Sequence, residues 1–200
     1  AHRLNEKSGF YGNQGENQIK EIINASKTSI FFIDEKQRVT LKDSGTKADI
    51  ELFAQQANAD IDYIKLNSQF RCNGSDGYLL WIDDVLQIQH TPNYDYMGLD
   101  FDFQVIDDPN KLYEILEEKN KINNKSRIVA GYCWDWNKDT RNDTNTPDIK
   151  IGNFGKSWNL GNSDTWAIDK DSFKEIGCIH TSQGLEFDYV GVILGKDIRY

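Results

Sequence analysis

The sequence is poor in cysteine and has no long hydrophobic run. Its three cysteines, Cys72, Cys133 and Cys178, lie far apart, which argues against a disulfide framework or a closely spaced zinc site. No apolar stretch approaches the length needed to cross a bilayer, and the polar first ten residues do not form a signal peptide. We therefore predict a soluble, cytoplasmic protein, with one globular domain or one and a fraction in these 200 residues.

Positive charge is also scarce. The chain has 23 lysines and arginines against 32 aspartates and glutamates, which gives a formal net charge of −9. Sequence-independent nucleic-acid binding depends on lysine and arginine neutralising phosphates. The composition therefore argues against strong nucleic-acid binding by the chain as a whole, although it leaves room for a local basic groove.

Helical and strand-like segments alternate along most of the chain. Amphipathic or apolar segments of 10 to 13 residues predict helices, and shorter apolar runs bounded by turn residues predict strands. Alternation at these spacings predicts an α/β fold with a mainly parallel sheet. The predicted helices are residues 16–25, 47–59, 76–87 and 109–121, and the predicted strands are residues 29–33, 60–66, 101–106, 127–134, 175–179 and 189–194.

Residues 135–171 interrupt this alternation and are here called the insertion. They are rich in Asn, Asp, Thr, Gly and Trp, and predict an irregular excursion with one hairpin. Their string GNFGKS, residues 152–157, superficially matches a phosphate-binding loop, but position 150 is Lys where that loop needs Gly, and no helix pattern follows. Asp135, Asn137 and Asp139 imitate a calcium loop that lacks its Gly and its Glu, so we predict no metal site.

The insertion and its border also hold most of the tryptophans. We expect them to form a local core, with a base-stacking platform as the alternative. The four residues are Trp134, Trp136, Trp158 and Trp166.

The stretch from Glu175 to Leu194, EIGCIHTSQGLEFDYVGVIL, places a polar turn between two apolar runs. In open α/β sheets, ligands bind where loops leave the carboxyl ends of the strands. Hydroxyl, carboxamide and carboxylate groups in the turn suit contacts to phosphate or ribose. The alternative is a buried connection in which Glu186 only caps a short helix.

Four strings in this chain resemble motifs of superfamily 1 helicases. TSQGLEFDYV resembles the fifth motif, DEKQ at residues 34–37 the third, QFRC at residues 69–72 the fourth, and AHRL at residues 1–4 the tail of a Walker B motif. In this order they resemble a bacterial family of Schlafen-related, helicase-like P-loop ATPases, known as uncharacterised DNA/RNA helicase domains. The resemblance covers essentially the whole chain.

The resemblance implies two RecA-like, three-layer domains with ATP between them. Residues 1–45 would be the tail of the first domain after Walker B, and residues 46–200 an incomplete second domain that carries the insertion. It also implies a role for six residues of this chain. These are Gln37 and Arg71 in catalysis, Gly184 and Glu186 in ATP binding, and Thr181 and Ser182 in nucleic-acid binding.

ATP, Mg²⁺ and DNA or RNA are the ligands that the resemblance implies for the parent protein. The phosphate-binding string G-x-x-x-x-G-K-[ST] occurs nowhere in these residues, so a P-loop segment N-terminal to them is an expected partner and the chain alone should be inactive. Two functions stay open: part of an ATP-driven helicase or translocase, or an ATP-gated regulatory or nucleic-acid-binding module that unwinds nothing.

Overall fold

The computed structural model describes residues 4–5, 17–35, 43–66, 76–92, 101–141, 143, 145–161, 164–196 and 198. The chain divides into two compact units, residues 1–67 and 68–200. The domain boundary predicted near residue 45 came from the family resemblance and stays a prediction.

The first unit contains two short helices and one small strand pair. Strand β1 (Leu4–Asn5) pairs antiparallel with β2 (Asp43–Ser44), and the helices are α1 (Gln18–Ala25) and α2 (Lys47–Gln56). Ile19 of α1 is completely buried. Both helices were predicted from their apolar spacing, to within three residues at each end.

Side-chain caps explain where these two helices begin. The Asn17 carboxamide oxygen accepts a hydrogen bond from the Ile19 backbone N–H at 2.9 Å. Thr46 and Asp49 form a reciprocal capping box: the Thr46 hydroxyl accepts from the Asp49 N–H, and the Asp49 carboxylate accepts from the Thr46 N–H. These hydrogen bonds lower the pKa of Asp49.

Two strands predicted in the first unit are wrong. Residues 29–33 and 60–66 have no strand partner in the part of the chain that is described. Ile30 and Ile64 in these segments are largely exposed. The Tyr63 ring lies beneath the Lys47 ammonium, and its hydroxyl donates to Glu51. An apolar run becomes a strand only where a neighbouring backbone completes its hydrogen bonds, and the sequence pattern does not specify that neighbour.

The second unit contains the parallel sheet and the insertion. Its elements are α3 (Asp76–Val85), α4 (Pro109–Asn123), β3 (Ser126–Ala130), β4 (Ile149–Ile151), β5 (Phe154–Lys156), β6 (Ile176–Gly177), α5 (Ile179–Ser182) and β7 (Tyr189–Ile193). A 3-10 turn, Lys170–Lys174, precedes β6. No helix in the described ranges is both long and apolar enough to span a membrane.

Strands β6, β3 and β7 form one sheet in that order, and both outer strands run parallel to β3. Ile128 at the centre pairs with Ile176 on one side and Gly191 on the other. The predicted α/β class with a mainly parallel sheet is confirmed. The two apolar runs at either side of the TSQGLEF turn also lie in one sheet, as predicted.

Helix α4 covers one face of this sheet. The Asp108 carboxylate caps its start, Pro109 occupies its first position, and Asn124 ends it in a left-handed conformation with φ of 58°. A Cβ atom at Gly191 would lie 2.4 Å from the Leu116 Cδ1 atom. Glycine in β7 therefore lets α4 pack directly on the strand.

The predicted strand at residues 101–106 is also wrong. Phe101 stacks on Tyr78 with ring centroids 3.8 Å apart, and Phe103 meets Trp81 edge-on at 4.7 Å. The aromatic side chains of this segment thus pack against α3. That burial replaces the strand pairing expected from their alternation.

The insertion supplies part of the core beside the sheet. Strands β4 and β5 form an antiparallel hairpin, so the single predicted hairpin is present. Trp158 is completely buried and Trp166 nearly so. The central cluster contains Leu116, Ile128, Ala130, Ile149, Phe154, Trp158, Phe173, Ile176, Cys178 and Ile193.

The string GNFGKS lies in this hairpin. Gly152 occupies the turn with φ of 58°, and Phe154–Lys156 is the second strand. The Lys156 ammonium lies 3.8 Å from the centre of the Tyr113 ring. Because no helix follows in residues 157–161, the string lacks the strand–loop–helix geometry of a phosphate loop.

Candidate functional site

Three segments leave the sheet at its carboxyl ends: residues 131–136 after β3, 178–185 after β6, and 194–196 after β7. We call this region the carboxyl edge. Because the three strands are parallel, the segments lie at the same side of the sheet. Residues 186–188 then lead back to the amino end of β7, where the Asp188 N–H donates to the Lys125 carbonyl. Three of the predicted site residues lie at the carboxyl edge, namely Thr181, Ser182 and Gly184, and Glu186 lies on the return to the amino end of β7.

The backbone of Cys178 holds the hydroxyls of α5. Its N–H donates to the Thr181 hydroxyl at 2.9 Å. Its carbonyl accepts from the Thr181 hydroxyl at 3.1 Å and from the Ser182 hydroxyl at 2.8 Å. A hydroxyl has a single proton to donate. A phosphate oxygen that accepts from Ser182 must therefore replace the Cys178 carbonyl, and one that accepts from Thr181 must replace the carbonyl or the thiol of Cys178.

The turn that follows α5 is open to solvent. Gly184 has φ of 81°, a conformation that side chains disfavour, and a Cβ there would meet nothing within 4 Å. Glu186 is exposed and makes no hydrogen bond or ion pair with any residue that the structure describes. It lies after α5 and before β7, so it caps neither that helix nor any other described one. The alternative interpretation of Glu186 as a helix cap is therefore wrong.

The thiol of Cys178 is buried beneath this turn and surrounded by donors. The Asn159 carboxamide nitrogen lies 3.3 Å from Sγ, and the Thr181 hydroxyl lies 3.7 Å from it. Burial raises the pKa of the thiol, but hydrogen bonds from Tyr132, Asn159 and Thr181 outweigh it, and the pKa is lowered. Burial, together with the hydrogen bond to Cys178, raises the pKa of Tyr132.

These contacts tie the insertion and the segment after β3 to the turn. Cys178 was predicted to be a core residue, and it is buried. Sequence reasoning missed its partners Tyr132 and Asn159. Nothing in the local pattern indicates that Asn159, 19 residues earlier, meets this thiol.

Aromatic side chains occupy the β3 part of the carboxyl edge. The Tyr132 and Trp136 rings are stacked, with centroids 5.7 Å apart and planes 16° apart. Trp158 supports both rings from the core, at 5.5 and 6.0 Å. The predicted local core thus holds for Trp158 and Trp166, whereas Trp136 is exposed. The string YCWDW directly after a predicted buried strand was the available signal.

A cavity of about 390 Å³ lies between the insertion and the turn. Trp166 and Ile168 bound it on the insertion side, and His180, Thr181 and Leu185 bound it on the turn side. The Trp166 indole nitrogen is buried and has no hydrogen-bond partner among the described residues. Asp164, Thr165 and Ala167 complete the lining.

The remaining predicted site residues, Gln37 and Arg71, lie outside the described residues. Their expected approach to Gly184 and Glu186 is therefore untested. Within the described ranges, no group of three or more His, Cys, Asp or Glu side chains is arranged to hold a metal ion.

Fold and site define an α/β protein whose described candidate ligand-binding residues lie at or beside the carboxyl edge of a parallel sheet. The family described as Schlafen group 3, DNA/RNA helicase domain matches residues 1–200. The chain therefore belongs to this Schlafen-related, helicase-like family, as the motif order predicted.

The chain is also similar to an uncharacterized protein of the yeast Saccharomyces cerevisiae, YPL245W. The two are 26% identical over 223 residues, which cover 100% of this chain and 48% of the yeast protein. The chain thus spans about half the length of this curated relative. Proteins similar to this chain therefore also occur outside bacteria, and the predicted bacterial origin is unconfirmed. No solved structure matches the chain significantly.

Proposed function

We propose that the chain is part of an ATP-dependent DNA/RNA helicase or translocase with a P-loop NTPase core. In this proposal residues 46–200 form most of a second RecA-like domain, and residues 1–45 end the first. The observation that carries the proposal is the helicase-domain family match over residues 1–200. The GLEF turn, which starts at Gly184 beside the carboxyl edge of a parallel sheet, supports it, because ligands of α/β proteins bind at that edge.

The turn would provide the second-domain side of the ATP cleft. Glu186 is exposed and unpaired among described residues, so its carboxylate is available to accept hydrogen bonds from ribose hydroxyls. Gly184 leaves open space where a side chain would stand, which suits close approach of a ligand to the backbone. Both features fit peripheral contacts to ATP. The described residues offer no metal cluster, so the proposal assigns Mg²⁺ to the parent protein's P-loop segment.

Arg71 and Gln37 would act on the phosphates. A guanidinium is permanently charged and its fork matches phosphate oxygens. Positioned cations of this kind stabilise the charge that develops during phosphoryl transfer. A carboxamide can donate to a phosphate and accept from water, so Gln37 would sense whether the terminal phosphate is present.

Thr181 and Ser182 would face the nucleic acid. Their hydroxyl protons are directed to Cys178, that of Ser182 to its carbonyl and that of Thr181 to its carbonyl or thiol. Binding of a phosphate by either hydroxyl would exchange that internal hydrogen bond for an external one. Nucleic-acid binding would thereby change the hydrogen bonds between the short helix α5 and Cys178, which directly follows β6.

The test is ATP turnover by the full-length protein with and without single-stranded DNA or RNA. We expect nucleic acid to raise the rate, and Arg71→Ala to lower turnover at least tenfold without loss of folding, given the 10³–10⁵ typical of an arginine finger as an upper bound. Arg141→Ala removes an exposed arginine of the insertion and is the matched control. Unchanged turnover in Arg71→Ala would contradict the role of Arg71.

The second candidate function is an ATP-gated regulatory or nucleic-acid-binding module without unwinding activity. The net charge of −9 favours this second function. A negative charge weakens the electrostatic attraction to the nucleic-acid phosphates that a translocating enzyme needs. A strand-separation assay distinguishes the two: ATP-dependent separation supports the helicase, and stimulated turnover without separation supports the module.

A further inference from the structure

The stacked pair Tyr132–Trp136 is an aromatic surface that the core buries only in part. Tyr132 is 44% exposed and Trp136 is 37% exposed, whereas Trp158 beneath them is 0% exposed. Their planes are 16° apart, so the two rings are nearly parallel and a base can continue the stack on an exposed face. Trp158 packs against both of them from the core, which fixes their orientation.

This surface lies beside the segment that the proposed function assigns to nucleic acid. The exposed His180 ring of α5 is 6.3 Å from the Tyr132 ring. Thr181 follows it directly in sequence. The pair and the two hydroxyl residues therefore belong to one continuous part of the carboxyl edge.

We propose that Tyr132 and Trp136 stack with an unpaired base of single-stranded nucleic acid. The inference rests on the proposed function and adds how the strand is recognised. Every base has a π-face, so stacking on aromatic rings tolerates any sequence. Each ring is about half covered by the protein, so little conformational freedom remains to be lost when a base binds.

Charge supports stacking as the source of affinity at this place. The sequence next to the pair includes Asp135, Asp139 and Asp143 as well as Lys138 and Arg141. Phosphate contacts by lysine and arginine make affinity fall steeply with salt. Because acidic and basic residues are mixed here, electrostatic attraction to phosphates is weak, and stacking must supply most of the binding affinity. Loss of the aromatic rings should therefore weaken binding without changing its dependence on salt.

The experiment measures binding of fluorescein-labelled oligo-dT and oligo-U by the full-length protein. A length of about 12 nucleotides lies within the site sizes of stacking proteins, roughly 4 to 16 nucleotides. Trp136→Ala should weaken binding about 5- to 150-fold, as expected for one lost stacking partner. The slope of affinity against salt should stay unchanged. Trp136→Phe keeps an aromatic face and should retain most of the affinity.

Tyr189→Ala is the matched control. Tyr189 is also 37% exposed, but it pairs with Ser126 at the amino end of the sheet, away from the carboxyl edge. We expect this variant to bind as the wild type does.

A wild-type measurement covers the case in which Trp136→Ala does not fold. A 2-aminopurine placed among thymines should lose fluorescence when it stacks on the pair. A bound oligonucleotide whose 2-aminopurine stays bright would overturn the inference.

Equal affinity of folded Trp136→Ala and wild type would also overturn the inference while leaving the proposed function intact, and would mark the pair as a surface for another partner. If the wild type binds neither oligonucleotide and its ATP turnover ignores nucleic acid, the proposed function fails and the inference fails with it.

Discussion

Replacing Arg127 by methionine should loosen the end of the insertion. The Arg127 side chain is completely buried. Its guanidinium donates to the carbonyls of Ala167 at 2.8 Å and Asp169 at 3.0 Å, and to that of Ser126 at 2.7 Å. It thereby joins the segment before the 3-10 turn to the start of β3. Methionine keeps the length of the aliphatic stem but donates nothing.

The size of the effect follows from these contacts. A hydrogen bond to a charged group contributes about 1.5–3 kcal/mol. Arg127 makes three such bonds to the insertion: the two to Ala167 and Asp169 and a longer one, at 3.4 Å, to the Trp166 carbonyl. Part of the stabilisation by these hydrogen bonds is offset, because burial disfavours the guanidinium charge. The same effect lowers the pKa of Arg127. We expect a net loss of about 2–4 kcal/mol in the local free energy of opening. That corresponds to about 30- to 1000-fold faster amide exchange.

Hydrogen–deuterium exchange of the full-length protein measures this opening directly. The increase should be confined to residues 166–172. Lys125→Met is the matched control, because Lys125 is exposed, carries the same charge and lies two residues away. If exchange in residues 166–172 is unchanged in Arg127→Met, the guanidinium does not hold the insertion and the energetic argument is refuted.

Three further predictions concern other parts of the chain. Gly177→Ala should lower the free energy of unfolding of the second unit by about 1–3 kcal/mol, because the new Cβ would lie 2.5 Å from the rigid Trp166 ring. The measurement is the thermal unfolding midpoint, which should fall. An unchanged midpoint would contradict this packing. Thr46→Ala should cost α2 about 1 kcal/mol, measured by exchange of its amides. Since the caps lower the pKa of Asp49, their contribution is present above about pH 4 and is lost as the pH falls below it. Thr46→Ala should weaken that pH dependence without removing it, because the backbone N–H of residue 46 still donates to Asp49. Residues 1–200 alone should neither bind ATP tightly nor hydrolyse it. The measurement is a calorimetric titration with ATP at about 100 µM protein. Micromolar binding that is lost in Lys156→Ala would mean that GNFGKS is a phosphate loop after all.

Sequence was most informative where the causes of structure are local. Asp108 and Pro109 mark the start of α4 because a cap and a fixed φ act within one turn. A buried β-branched run predicted β3, which is covered along almost its whole length. The similar run of β7 is covered on one side only, where Gly191 and Ile193 are buried, and Val190 and Val192 are exposed. Residues 29–33 and 60–66 have similar runs but no described partner strand, and partner choice is a property of the whole fold.

The candidate site divides in the same way. The turn that carries Gly184 and Glu186 lies between two parallel strands, as the two apolar runs predicted, whereas the role of these two residues stays a prediction. The hydrogen bonds of Thr181 and Ser182 to Cys178 did not follow, because they depend on how α5 closes after β6. The exposure of Trp136 was also missed, since sequence alone does not say which tryptophan of a cluster lies on its surface.

The most direct test of the account is where ATP binds in the full-length protein. Hydrogen–deuterium exchange with and without a non-hydrolysable ATP analogue and Mg²⁺ maps that contact. We expect protection at residues 183–187, around Gly184 and Glu186, and none at residues 152–157 of the hairpin. Saturating analogue that protects residues 152–157, or leaves residues 183–187 unprotected, would contradict the assignment of the GLEF turn to the ATP cleft.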